Sequence, residues 1–240
     1  MANNIANHLI ITANSNEELT NFLSFIQHDE IIDGEVSVID FNKILPRPKE
    51  LDDTEESSTT DLCIYYYLIT DNKEHLISSV LSNRSFSKEK ILKISKDRLN
   101  EMFKIGKKYF ENYIKYGATT WYQWCISNWG SKWNAYDSYI VEKGDCCAAI
   151  KFFTAWSGVP NIINKLTEMF PTFTFEYKYA DEDMGYNCGE CCGNNGEFSF
   201  NTFIGGSDEA METYIYCWGY DIEDFYKDEN GLWHNILFEE

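Results

Sequence analysis

Between residues 146 and 183 two apolar, aromatic-rich runs flank one short amphipathic segment. The first, CCAAIKFFTAW (146–156), reads as a buried strand. The last, TFTFEYKYADED (172–183), alternates aromatic with polar residues, as a half-buried strand does. Between them Ile162, Ile163, Leu166 and Phe170 fall on one helical face, with Pro160 near the start and Pro171 at the end. A helix strung between two such strands must cover the sheet they share. The N-terminus offers a second strand and helix. NHLIITA (7–13) is a short apolar run, Asn14 or Ser15 is a cap, and Leu19, Phe22, Leu23 and Ile26 form one face of the helix that follows. After residue 183, YNCGECCGNNGEFSFNTF (186–203) has turn chemistry at Gly193–Gly196 between two short strand candidates. SDEAMETYIYCWG (207–219) is a helix capped by Ser207, and LWHNILFEE a short strand or loose end.

The intervening chain is of another kind. GEVSVIDFNKILPRPKEL (34–51) begins extended and ends in a loop punctuated by Pro46 and Pro48. DDTEESSTTD (52–61) lacks apolar anchors and reads as a mobile loop, and LCIYYYLIT (62–70) fits either a strand or the first part of a helix. Ile91, Ile94, Leu99, Met102, Ile105, Phe110 and Tyr113 recur at helical spacing, with Ser87 as N-cap and Gly117 as stop. The expected fold is therefore α+β: a ferredoxin-like (split βαβ) antiparallel sheet with a long, largely helical insertion. One compact domain over 1–240 is expected. Residues 7–33 and 146–205 form its core, 52–145 the insertion and 206–240 a C-terminal extension.

Charge narrows the function. The net charge is −19, spread unevenly: −9 over residues 1–60, +4 over 61–143 and −14 over 144–240. Such a field repels nucleic-acid backbones, so direct nucleic-acid binding is not expected. No apolar run is long enough to span a bilayer, and the start lacks the basic region of a signal peptide. The expectation is a cytoplasmic chain without membrane contact, whose eight cysteines are thiols.

Four segments stand out together: DFNKILPRPKEL (40–51), WGSKWNAYD (129–137), FFTAWSGVPNIINKLTEMFP (152–171) and ADEDMGYNCG (180–189). In order and content they resemble the YubB-type family of phage and plasmid proteins, over about half the chain. The resemblance implies a ferredoxin-like domain and a mobile-element setting, and so a bacterial host cell; it supplies no catalytic residues. The crowded cysteines at 188–192 depart from the family pattern, so no metal role is borrowed from it.

The run WYQWCISNWGSKWNAYD (121–137) holds four of the seven tryptophans. Stacking on a ligand would use Trp129, Lys132 and Trp133, with a cation–π contact from Lys132. Packing of a bulky wedge is the commoner use of such rings. CGECC has one C-x-x-C without a second, and in a strand Cys191 and Cys192 point to opposite faces. At most one of them can join Cys188, a partner from Cys146 or Cys147 on a neighbouring strand would still leave no obvious four-ligand set, and neither metal nor cofactor is expected. The four histidines have no nucleophile at motif spacing, and no catalytic set is assigned. Asp181, Glu182, Asp183, Glu223 and Asp224 interleave with aromatics, a mixture that suits an interface. The leading expectation is an acidic factor of a phage or mobile element that binds a host protein with a basic surface, inhibition of a bacterial defence system being one such role. The alternative is an enzyme or small-ligand-binding protein with its pocket near the Trp-rich segment.

Overall fold

The computed structural model describes residues 3–29, 36–81, 86, 91 and 94–236. It partitions into two compact units: unit 1, residues 1–46 with 128–240, and unit 2, residues 47–127. This differs from the expected single domain and moves the insertion to 47–127.

Unit 1 is built on a six-stranded antiparallel sheet. Its strands are β1 (Asn4–Thr12), β2 (Tyr136–Lys143), β3 (Cys147–Ala155), β4 (Thr174–Asp181), β5 (Gly189–Asn194) and β6 (Glu197–Thr202). They lie in the order β2-β3-β1-β4-β5-β6. β1 runs antiparallel to both β3 and β4, so β3 and β4 are parallel with β1 between them. Helix α7 (Pro160–Met169) joins that parallel pair, which makes the split βαβ. β2 corrects the sequence reading: placed in the helical insertion, it is an edge strand of the sheet, and its mostly exposed residues give no buried-strand signal.

One sheet face carries the core. Ile5, Leu9, Ile11, Ile150, Phe152, Phe175 and Tyr177 alternate onto it and are buried. Helix α1 (Asn16–Ile26), capped by the Ser15 side chain, turns Leu19, Phe22, Leu23 and Ile26 inward, with the Phe22 ring 5.7 Å from that of Phe175. Asn7 is buried on the same face and fully used. Its amide donates to Phe152 O and Thr154 Oγ1, and its oxygen accepts from the Tyr177 hydroxyl, which accepts from Val159 N–H. β5 and β6 meet at Asn195-Gly196, both with positive φ (52° and 76°), the two-residue turn that an Asn-Gly pair favours. On the other face helix α8 (Asp208–Trp218) packs over Ala6, Ala180 and Phe153, and a short hairpin of β7 (Phe225–Lys227) and β8 (Trp233–Asn235) follows.

Unit 2 is helical. Its main helices are α3 (Ser58–Thr70) and α5 (Lys96–Tyr116), with α4 (Ile77–Val80) and part of α6 (Trp121–Asn128). Residues 62–70 are thus helix. The cap observed on α5 is Ser95; the expected cap at Ser87 lies outside the described residues. Residues 52–57, expected to be mobile, are pinned: Tyr109 Oη accepts from Glu55 N–H at 2.9 Å, and Thr54 Oγ1 from Trp121 N–H at 2.9 Å.

Candidate functional site

In unit 1 three of the four sequence motifs lock together. Asn134 accepts from Phe41 N–H (2.8 Å) and donates to the buried Asp40 carboxylate (2.6 Å), which itself caps the short helix α2 (Phe41–Ile44). The Trp129 indole N–H donates to Leu45 O at 2.9 Å, and its ring lies 5.7 Å from Phe41. Trp129 is 1% exposed, so it seals the core and is not open to a stacking ligand, contrary to one expectation for it. Ser131 Oγ sits between the N–H and C=O of Ala155, at 3.2 and 3.5 Å. That clasp lays WGSKW against TAWSG.

It also brings Lys132 between two tryptophans. The ammonium is 4.5 Å from the Trp133 ring centre and 5.1 Å from that of Trp156. Both indoles are 39% exposed. Trp156 takes the place expected of Trp129, and no spacing rule would find it, because it arrives from the far end of β3. Its backbone is left-handed, with φ 70°, an outlier for so bulky a residue. A closed circuit of hydrogen bonds holds it there. Trp156 N–H donates to Asn3 O, and Trp156 O accepts from the Asn187 amide; that amide also donates to Asp181, which accepts from Asn3 Nδ2.

Asp181 is therefore an internal hub. It is 5% exposed and also accepts from Asp183 N–H, so its expected role as a partner-binding carboxylate is corrected. Glu182, Asp183 and Glu223 are exposed and Asp224 is half-buried. Glu182 receives the backbone and side-chain N–H groups of Asn4. The two acidic runs share one end of the unit through aromatic packing. Burial first, then Tyr220, push the Tyr214 hydroxyl pKa up, and the Asp183 charge adds to this. The Tyr214 ring lies 5.6 Å from Tyr220 and 6.2 Å from Phe225, the residue after Asp224. Tyr186, Tyr220 and Ile222 are exposed beside these carboxylates.

A second feature lies on the sheet face that α8 leaves partly open. A cavity of about 520 Å³ opens there, away from the Trp-rich segment. Register sets two rows across β1, β4, β5 and β6: His8–Lys178–Glu190–Asn201 and Ile10–Glu176–Cys192–Ser199. His8 belongs to β1 and is 8% exposed, its Nδ1 has no hydrogen-bond partner among the described residues, and its ring meets Tyr216 at 4.7 Å. Burial, and then the Lys151 charge, bring its pKa down to about 4.

The cysteines are free thiols. Burial raises Cys188 and Cys217 to about 12 and Cys191 further, so they stay protonated and unreactive. Cys191 and Cys192 take opposite faces, as expected. Among the described residues no group of three or more His, Cys, Asp or Glu side chains is placed to hold a metal ion. No helix among them is long and apolar enough to cross a membrane.

The fold defines unit 1 as a ferredoxin-like α+β sheet protein. Residues 128–229 match the family model described as "Ferredoxin-like domain in Api92-like protein", a stretch that leaves out the central strand β1. Among solved structures the chain is similar to the crystal structure of a protein api92 from Yersinia pseudotuberculosis. The two share 7% sequence identity at a TM-score of 0.44, over 86% of this chain and 100% of that one. No curated protein matches.

Proposed function

We propose that unit 1 binds a basic protein surface through its acidic, aromatic end. One observation carries this reading: Glu182, Asp183 and Glu223 stand exposed around Tyr186, Tyr220 and Ile222, with no ion pair to any of the three among the described residues. The few lysines of residues 144–240 are engaged elsewhere. Lys165 pairs with Glu168, Lys178 with Glu190 and Lys227 with Asp208, and Lys151 stands across the sheet beside His8. Rings supply anchors at such a face, while the uncompensated charge steers a basic partner and rejects an acidic one. On this reading the chain is a factor of a phage or other mobile element acting in the bacterial cytoplasm, in keeping with its YubB-type motifs. Its target is a defence protein whose basic surface otherwise takes nucleic acid.

The test is capture from host lysates on the immobilised chain, at low and at high salt. A variant carrying Glu182→Lys, Asp183→Lys, Glu223→Lys and Asp224→Lys, with Asp181 retained, serves as the comparison. Capture should weaken with salt, because screening shortens to about 8 Å at physiological ionic strength and further above it. It should fall roughly tenfold or more in the variant, the size expected for losing two or more charge pairs of an interface. Undiminished capture by the folded variant, or no captured protein from any host, overturns the proposal.

A further inference from the structure

We infer that Trp133 and Trp156 form a two-walled cation site, filled in the isolated chain by the protein's own Lys132, and that a basic partner inserts an ammonium or guanidinium group in its place. The partner's identity rests on the reading above; the chemistry of the site does not.

The site already holds a cation. The Lys132 ammonium lies within 4.5 and 5.1 Å of the two ring centres and makes no ion pair among the described residues. An exposed contact of this kind is weak, so this occupant is readily exchanged. A lysine lying on a surface ring needs no special backbone, yet one wall of this site is built at a cost. A tryptophan held at φ 70° is strained and persists only where the surroundings over-determine it. The Asn3–Trp156–Asn187–Asp181 circuit does this, with every link between 2.9 and 3.1 Å.

The same circuit ties the Trp156 backbone to the acidic run. Asn187 bonds Trp156 with the same amide nitrogen that bonds Asp181, and Glu182 and Asp183 follow directly in the chain. Two indole faces that already hold an ammonium suit a positively charged side chain with an aliphatic stem. They do not suit an anion, nor a phosphate backbone in a chain of net charge −19. A lysine or arginine from a basic surface has this chemistry, and it would meet the two rings and the acidic end together.

The experiment uses two probes of the same shape that differ in charge, choline and 3,3-dimethylbutan-1-ol. They are titrated against the full chain while the tryptophan indole N–H resonances are followed. In the Lys132→Met variant, which empties the site, choline should bind roughly tenfold more tightly than its neutral isostere. The unsubstituted chain should bind choline more weakly than that variant, because its own ammonium competes. In the Lys132→Met background, Trp133→Ala should remove the preference for choline. So should Trp156→Gly, chosen because glycine tolerates the left-handed backbone. Equal binding of the two probes, or a preference that survives loss of either ring, overturns the cation site. Trp156→Gly alone should also weaken partner capture with every carboxylate intact, and unchanged capture overturns the anchoring role. A choline preference without any captured partner would remove the partner reading and leave the cation site standing.

Discussion

His8 shows what a single buried side chain contributes. It stands in the central strand between Lys151 and Lys178, the first a source of the charge that disfavours its protonation. Its folded pKa, about 4, lies below the ordinary 6.5, so the neutral form is the one the fold accepts. The stabilisation is fully present above about pH 6.5 and is lost as pH falls toward 4. Between pH 7 and pH 5 the linked loss is roughly 2 kcal/mol. Urea unfolding at the two pH values should show this drop in the parent chain, and a smaller one in His8→Gln. An equal drop in both would assign it to the carboxylates. Asp181 and Trp129 teach a related lesson about reading. An acid at the end of a strand reads as a surface residue in sequence, and an indole in a tryptophan-rich run reads as either core or ligand platform. Partners far away in the chain, Asn3 for one and Leu45 for the other, turned both inward.

At the level of elements, α3 and α5 come into close contact in unit 2. Gly106 lies in the middle of α5, and a Cβ there would fall on the Cys63 carbonyl oxygen and within 2.8 Å of the Tyr67 Cβ. Replacing a mid-helix glycine by alanine ordinarily stabilises by about 0.5–1 kcal/mol. Gly106→Ala should reverse that sign and destabilise by about 1–3 kcal/mol, because the helices must separate to admit the methyl group. Thermal denaturation followed by the helical circular dichroism signal measures it, and a raised midpoint would refute the packing. Elements of this kind were legible where period and punctuation agreed. The strand-helix-strand of residues 146–183 was visible from its apolar runs and flanking prolines, and the β5–β6 turn from the turn residues of Gly193–Gly196, which the structure narrows to Asn195-Gly196. β2 was not, because an edge strand whose side chains are mostly exposed carries no alternation of burial to betray it. Trp156 could not be paired with Lys132 either. The clasp that joins them, Ser131 to Ala155, spans 24 positions and leaves no periodic trace.

Across the whole molecule, the insertion leaves and re-enters unit 1 at one place. Leu45 and Trp129, one before residue 47 and one after residue 127, are hydrogen-bonded to each other within unit 1. Unit 2 ties its own ends in the same way, with the Arg47 guanidinium 3.7 Å from Cys125 Sγ and 5.8 Å from the Trp121 ring centre. Replacing residues 47–127 by a short Gly-Ser linker should therefore leave a folded unit 1 with its dispersed amide spectrum, and a collapsed spectrum would show that its sheet needs the insertion. The joined ends also bear on the order of assembly. β1 and β3 are neighbours in the sheet although Asn7 and Phe152, bonded across them, are 145 positions apart. An unstructured loop of roughly 80 residues costs about 2.5 kcal/mol more to close than one of about 5, and sheets of such remote strands form slowly. If the helical unit folds first, its paired ends bring residues 46 and 128 together and take about 80 residues out of the loop between β1 and β3. The insertion would then act on the sheet as a built-in chaperone, by holding the segments on either side of it together.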